Sequence, residues 1–533
     1  MTANTTAAAL EPRKMPISIQ DFRKLRTSEC VYVDKTEVLH RLVTRRFQVF
    51  LSRPRRFGKS LFISTLKYYF LGRKELFDGL YIAGVEKEWA EYPVFHFEFV
   101  GENYSAGMDR LRSALDSNLR NLEEEWGRNE QDDSFAERLK SLIKRAYKKT
   151  GRGVVVLVDE YDKPLLETMH DEALNSEVRA ELKGFYGVLK GLDACLKFVF
   201  LTGVTKFSQV SIFSDLNHLD DISLTDDYSG LCGISERELL EHFKPEIQLL
   251  ADKQGYGYDE AVAQLKKEYD GYHFSKHCED MYNPFSVINV LDKLDFSRYW
   301  FKTGTPTFLI KMLERTYFDL SKLNGDISVT DDYMFDYRAN NQDPIPVLYQ
   351  SGYLTIKGYN IKSTRYTLGF PNEEVKYGFL EELLSIYTFN SVNINGFSAY
   401  DMALSLQKGD IKSVMIMLRS FFADIPYDLQ EKRHKNEKYF QSLFYTVFTL
   451  MGQFIQAEVK SAGGRSDAVV KTADSIYVFE FKMDDNATVE DALQQIDSND
   501  YLLPYQAAGK RLVKIGAVFN KDKCALTDYD FRF

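Results

Sequence analysis

The chain has 533 residues, 44% hydrophobic and 27% charged, which allows about two to four domains with separate cores and excludes a largely disordered chain. Lys plus Arg number 68 against 78 Asp plus Glu, a net charge of −10, so there is no global basic field and nucleic-acid contact would need local patches. Five scattered cysteines (Cys30, Cys195, Cys232, Cys278 and Cys524), odd in number and without a C-x-x-C pair, exclude a disulfide framework and suit a reducing compartment.

Residues 1–15 are small and polar and are expected to form a disordered tail. They lack a charged start followed by an apolar segment, and no apolar run reaches the roughly 18 residues that span a bilayer. The expectation is a soluble cytoplasmic protein with no membrane partner. From residue 16 to 235 apolar runs alternate with helical patterns. Strands are predicted at 47–52, 94–100, 154–158 and 198–202, with the helical stretches as crossovers of a parallel sheet. The run at 154–158 is apolar throughout, as in a strand covered on both faces.

From 236 to 323 the pattern turns mostly helical. Strand signals return at 347–359 and 365–368, followed by a helix at 379–387, which predicts a helical and winged-helix-like lid over 236–390. A helical connector is expected at 391–427. Residues 428–533 form a separate α/β unit: a helix, three strands, a second helix and a fourth strand.

The strand at 47–52 runs into Arg53-Pro-Arg-Arg-Phe-Gly-Lys-Ser60 and then a helix, the context that a phosphate loop requires. Gly58 admits close backbone approach, and free N–H groups at the helix start favour an anion. Lys59 supplies a mobile positive charge for phosphate oxygens, and the Ser60 hydroxyl can ligate Mg²⁺. Arg56 and Phe57 complete the candidate nucleotide-binding loop. Arg53 stands where such loops usually begin with glycine, and Arg53, Arg55 and Arg56 either add charge near the phosphates or face solvent. The run at 154–158 ends in Asp159-Glu160, where Asp159 would hold the nucleotide-bound metal and Glu160 would orient or deprotonate water. Thr202, at the end of the next strand, is a candidate to sense the terminal phosphate, against the plainer role of a hydroxyl capping a turn.

In the last block, Asp467 opens one strand of a hairpin and Glu480-Phe-Lys482 closes the other. Period 2 puts Val478, Glu480 and Lys482 on one face and Phe479 and Phe481 on the other. Two carboxylates pointing together repel and favour a cation between them, so Asp467 and Glu480 are candidate Mg²⁺ ligands beside Lys482. Glu437 heads the apolar stripe of the preceding helix and is a candidate third acid. The following helix is expected to open at a Thr488 cap and carries Gln494 and Gln495. His273, His277 and Cys278 have a spacing that would suit zinc on a helix, but Asp270-Gly271 marks a turn and no second ligand pair follows, so loop packing is expected. The basic stretch at 143–148 is expected to be a solvated helix face.

These residues together resemble a bacterial family of predicted AAA-like ATPases joined to a C-terminal PD-(D/E)xK nuclease-like domain. The resemblance covers nearly everything after Met15. It rests on Tyr32-Val-Asp34-Lys35-Thr36, the 53–60 loop, Val158-Asp-Glu-Tyr-Asp-Lys-Pro164, Leu201-Thr-Gly-Val-Thr-Lys-Phe207, Tyr269-Asp-Gly-Tyr272, Asn283-Pro-Phe285, Trp300-Phe-Lys-Thr-Gly-Thr-Pro306, Gln350-Ser-Gly-Tyr-Leu-Thr355, Asp467, Glu480-Phe-Lys482 and Ala492-Leu-Gln-Gln-Ile496. It implies a P-loop α/β domain with a lid and a restriction-endonuclease-like α/β domain, and it matches Glu437, Asp467, Glu480, Lys482 and Gln495 to the nuclease pattern. The implied activity is an ATPase coupled to a Mg²⁺-dependent nuclease, with Mn²⁺ as an alternative metal, nucleotide and DNA or RNA as partners, and a homo-oligomer as a compatible assembly. The rival readings are a nucleotide-gated switch or scaffold that binds nucleic acid or partners without cutting, and an ATPase with a C-terminal oligomerisation module.

Overall fold

The computed structural model describes residues 13–206, 219–301, 309, 313, 323, 327–335, 343–388, 398–423, 437–452, 456–459, 467–482, 487–520 and 525–533, with backbone alone at 385–388, 437–442 and 456–459. The chain divides into two compact units, Met1–Leu309 with Gly325–Lys376, and Ile310–Asn324 with Tyr377–Phe533.

In the first unit, strand propensity and full burial place the valine run of 154–158 inside a parallel sheet. The strands are β1 (Gln48–Ser52), β2 (Val94–Glu98), β3 (Val154–Asp159), β4 (Leu196–Gly203) and the two-residue β5 (Asp220–Asp221). Their order is β2-β3-β4-β1-β5, parallel throughout. The four predicted strands are present; β5 is too short to leave a sequence signal. Because β4 lies between β3 and β1, Leu51 pairs with Thr202 and Val158 with Leu201. The carboxyl ends of the three strands therefore meet on one sheet edge, where ligands bind open α/β sheets.

Beyond this sheet, β6 (Ile234–Ser235) pairs with β7 (Met281–Tyr282). The helices Lys244–Gln254, Tyr258–Tyr269 and Pro284–Lys293 share a core around Leu250, Leu265 and Val290. A three-stranded antiparallel sheet follows: β8 (Ile327–Val329), β9 (Thr355–Asn360) and β10 (Arg365–Gly369), in the order β8-β10-β9. The strand signal at 347–359 is only half right. Ile345–Ser351 is a helix with Pro346 in its first turn and left-handed Gly352 at its end, and the strand begins at Thr355.

In the second unit, the helices Ala399–Gln407 and Ile411–Ala423 precede the helix Glu437–Met451. The sheet runs in the order β11 (Gln456–Val459), β12 (Ala468–Lys471), β13 (Ser475–Lys482), β14 (Arg511–Asn520), β15 (Ala525–Arg532). The β13–β14 pair is parallel and the others antiparallel, with the helix Val489–Ser498 as the crossover. One more strand is present than the sequence suggested. β15 is an edge strand with acidic and exposed positions, which hide its period. Among the described residues no helix is long and apolar enough to cross a membrane.

Candidate functional site

Residues 53–60, the candidate phosphate loop, join β1 to the helix Lys59–Phe70. Gly58 caps the helix Lys59–Phe70 in the left-handed region at φ 89°, where a side chain would be strained. Arg56, two residues earlier, takes φ 70° without being glycine. The Lys59 ammonium is folded back onto the loop, donating to the carbonyl oxygens of Arg53 and Pro54 at 2.9 Å each. Burial lowers its pKa, which carboxylates at Asp159, Asp162 and Glu160 counter.

Asp159 ends β3 and is buried. Burial pushes its carboxyl up to about 6, opposed by the Ser60 hydroxyl bonded to it and by Lys59. The sheet thus brings Lys59, Ser60 and Asp159 together from two distant chain segments. Arg55, Arg56, Gly58, Lys59, Ser60 and Glu160 line a cleft of about 510 Å³. That size suits a small-molecule site.

Not every candidate reaches this cleft. The Thr202 hydroxyl is buried and donates to Leu51 O at 2.7 Å, committed to the sheet. Phe57 is buried against Tyr272 and Phe274, with ring centroids 4.6 and 5.2 Å away. It lines a neighbouring apolar cavity of about 100 Å³ with Val31, Val33, Leu61, Ile234 and Ile288. Arg53 neither faces solvent nor reaches the phosphate side. Its guanidinium is buried, donates to Ser52 O at 2.9 Å and Ser223 O at 2.8 Å, and lies 4.4 Å from the Phe274 ring centroid. The carbonyl of Ser52 at the end of β1 and that of Ser223 just after β5 hold it through one terminal nitrogen, while its Nε is buried with no hydrogen-bond partner among the described residues.

Sequence reasoning missed two contributors. Asp162, buried and facing the cleft, accepts from the backbone N–H groups of Val204 and Thr205 and from the Thr205 hydroxyl, at 2.9, 2.6 and 2.7 Å. The other is Phe285, whose ring carries Arg56 at 4.7 Å. Asn283 sets it there by capping the helix Pro284–Lys293 through Phe285 N and Ser286 N. The local signal was the Asn-Pro cap.

In the second unit the period-2 reading of β13 holds. Phe479 and Phe481 pack on Phe448 and Phe444 of the helix Glu437–Met451, at 4.9 and 4.1 Å. Val478, on the opposite face, joins Val469, Ile476 and Ile496. Glu480 and Lys482 follow Val478 on that face, toward the helix Val489–Ser498. Thr488 caps this helix with a reciprocal Asp491 bond. The crossover helix sits tight on β14: a Cβ added at Gly516 would lie 3.0 Å from Val489 O. Glu480 pairs with Gly516 in register, so this close packing brings Gln495 within hydrogen-bonding reach of Glu480 and Lys482.

Lys482 Nζ donates to Gln495 Oε1 and lies 3.8 Å from Glu480 Oε1. Asp467 accepts from Phe481 N at 2.8 Å. Burial, then the nearby Asp467 charge, pushes Glu480 up to about 7, against the opposing pull of Lys482 and a Gln495 hydrogen bond. Glu480 is 4% exposed, and its Oε2 is buried with no hydrogen-bond partner among the described residues. Two hard oxygen donors converging with one left unsatisfied fit a divalent cation such as Mg²⁺. Among the described residues no group of three or more His, Cys, Asp or Glu converges on a metal position. Glu437 begins its helix, but its side chain lies outside the described residues.

Residues 16–213 match the family model described as predicted AAA-ATPase, and residues 435–529 match that of the PD-(D/E)XK nuclease superfamily. Over 529 residues the chain is 35% identical to an uncharacterized protein from the vnfD 5′ region of Azotobacter chroococcum mcd 1, covering 97% of this chain and 98% of that one.

Proposed function

The chain belongs to the family of predicted AAA-ATPases that carry a C-terminal PD-(D/E)XK nuclease superfamily domain, and from that premise we propose that it is an ATP-controlled, divalent-metal-dependent nuclease acting on DNA or RNA phosphodiesters. The observation that carries this reading is the convergence of Asp467, Glu480, Lys482 and Gln495, with one Glu480 oxygen buried and unsatisfied.

Asp467 and Glu480 would hold the cation, the remaining ligands coming from water and phosphate, as Mg²⁺ prefers. When bound, the metal supplies charge stabilisation of the phosphate and a more acidic water. Lys482, aimed by Gln495, holds a positive charge beside the scissile group and orients the attacking water. Asp467 is fixed by the Phe481 N–H, so the hairpin presents the acids with little reorganisation.

In the first unit Lys59 would exchange its two loop carbonyls for phosphate oxygens, and Ser60 with Asp159 would hold the nucleotide's Mg²⁺. Glu160 would orient water. The apolar cavity beside the loop would take the base. We place the protein in the cytoplasm, with the acidic net charge limiting non-specific nucleic-acid binding to a local surface.

The test is a cleavage assay on single- and double-stranded DNA and RNA with Mg²⁺ or Mn²⁺, with and without ATP, beside Lys482→Ala. Metal-dependent cutting that disappears in the variant supports the nuclease, and an ATP effect supports the coupling. ATP binding with no cutting of any substrate would overturn the nuclease in favour of a nucleotide-gated switch.

A further inference from the structure

The basic stretch around residues 143–148 has no part in either site, and the fold gives it a definite shape. From Leu139 to Val158 the chain carries six cations, Lys140, Lys144, Arg145, Lys148, Lys149 and Arg152, and no carboxylate, although the whole chain has a net charge of −10. Five of them lie on the helix Phe135–Thr150 and the sixth on the turn that leads into β3. Leu139, Leu142, Ile143 and Ala146 are buried, so the helix packs by that stripe and turns Lys140, Lys144, Tyr147 and Lys148 outward, all four exposed.

The flanking cations are engaged with the fold. Arg145 donates to Gly127 O at 2.7 Å, and Lys149 lies 5.2 Å from the Trp126 ring centroid. Arg152 and Lys197 both approach the Tyr92 ring, at 5.6 and 5.5 Å, and extend the positive surface to the amino ends of β3 and β4. That is the end of the sheet opposite Asp159.

The outer row is different. Lys140, Lys144 and Lys148 recur every four residues, so like charges follow one another at about 6 Å along the helix, which destabilises it. Among the described residues none of the three has an ion pair. Glu137 is the one acid within four residues of any of them, and its carboxylate is bonded to Ser134. Elsewhere the same chain fills such positions with opposite charges, Glu37 with Arg41 at 3.2 Å and Asp116 with Arg120 at 2.7 Å. Attraction to the helix carboxyl end accounts for Lys148 and Lys149 in the last turn, but not for Lys140 and Lys144. The row is complementary to a line of negative charge that comes from outside the chain.

We propose that this helix face is a docking surface for duplex DNA, which it holds by the phosphates of one strand. Lys140 to Lys148 spans about 12 Å. A strand presents one phosphate per about 3.4 Å of duplex axis, so the three lysines lie against about three phosphates. Bases have little to meet here. Trp126 and Tyr92 are already approached by cations, which leaves Tyr147 as the exposed ring on this helix, too little for stacking a single strand. A double helix encloses its bases and turns its phosphates outward, so it needs no such rings. Lysines only donate, and the 2′-hydroxyl proton of an RNA backbone would find no acceptor in the row, which favours DNA. The inference deepens the nucleic-acid reading of the proposed function, but docking needs no metal and is measured apart from cleavage.

The experiment is fluorescence anisotropy with full-length protein and a labelled DNA duplex of about 20 base pairs, in EDTA without nucleotide, over about 50–200 mM KCl. The combined variant Lys140→Gln, Lys144→Gln, Lys148→Gln should bind about a hundredfold more weakly at about 100 mM salt, and its slope of log affinity against log salt should be shallower by about 2.7. The same three positions changed to Arg should keep both values. The Gln variant should melt no lower than the wild type, because the like-charge row is relieved. Unchanged affinity and slope in the Gln variant, or an equal loss in the Arg variant, overturn the surface, as does a wild type that binds no duplex. Single-stranded DNA bound as tightly as the duplex, or duplex RNA bound more tightly, overturns the assignment to duplex DNA. Cleavage is scored separately with Mg²⁺. DNA held through the lysines but never cut supports the surface and overturns the nuclease, whereas cutting by a protein whose affinity ignores the lysines supports the nuclease and overturns the surface.

Discussion

Asp162 fills the space that a side chain at Gly203 would need: a Cβ there would lie 2.3 Å from Asp162 Oδ1. The carboxylate cannot swing aside, because its other oxygen accepts three hydrogen bonds from Val204 and Thr205. Gly203→Ala should therefore cost about 3 kcal/mol of stability, the upper range of overpacking. Urea denaturation measures this. A midpoint unchanged from wild type would show that the β4 end yields more easily than this packing implies.

Lys59 makes two hydrogen bonds that a bound phosphate would replace. Lys59→Met should weaken ATP binding by about 2 kcal/mol, roughly thirtyfold, as expected for lost charge-assisted bonds. Folding stability should fall by only about 1 kcal/mol, since two carbonyls lose one donor group. Calorimetric titration beside thermal melting separates the two effects. Equal affinity in both proteins would remove Lys59 from the site.

Glu480→Gln keeps the shape of the C-terminal cluster and removes a buried charge. Cleavage should drop by about a hundredfold or more, the scale of losing a charge-stabilising group. Stability should hold or rise slightly, because burial already penalises the Glu480 carboxylate. Plasmid nicking and a thermal melt of one preparation test both halves. Undiminished nicking would exclude Glu480 from the reaction.

Glu374 gives the pH dependence. It is 1% exposed, accepts from Ser286 Oγ at 2.7 Å and Trp300 N at 2.8 Å, and burial lifts its pKa from 4.5 to about 7. The folded state holds this proton up to about pH 7 and the unfolded chain only to about 4.5, so between these values the folded state binds more protons. The stability it contributes is full below about 4.5 and lost as pH rises through about 7, roughly 3 kcal/mol in all. Glu374→Gln, which lets the Ser286 hydroxyl reverse its bond, should flatten the profile over that window. A parallel profile in the variant would assign the pH effect to other groups.

Local pattern carried much of the chain. The valine run gave β3, the Gly-Lys-Ser tripeptide gave the start of the helix Lys59–Phe70, and alternation gave the two faces of β13. These features depend on neighbours in sequence: a continuous apolar run, a left-handed glycine, a period of two. The helix at Ile345–Ser351 was misread because a short apolar stretch has the same composition in either state, and the proline and glycine at its ends decided it.

The sequence by itself determined which residue types were available for phosphate and metal chemistry, and in what order along the chain. The tertiary structure alone decided which of them meet. β4 lies between β1 and β3, and that order brings Ser60 to Asp159 while turning the Thr202 hydroxyl onto Leu51. Arg53, expected either to add charge near the phosphates or to face solvent, is instead buried on the carbonyls of Ser52 and Ser223. Gln495 reaches Lys482 because Gly516 lets the crossover helix settle on the sheet. The physical reason is common to all three. A side chain's pattern is local, but its hydrogen-bond partners and its burial come from segments far away in sequence, and a buried polar group goes where those partners are.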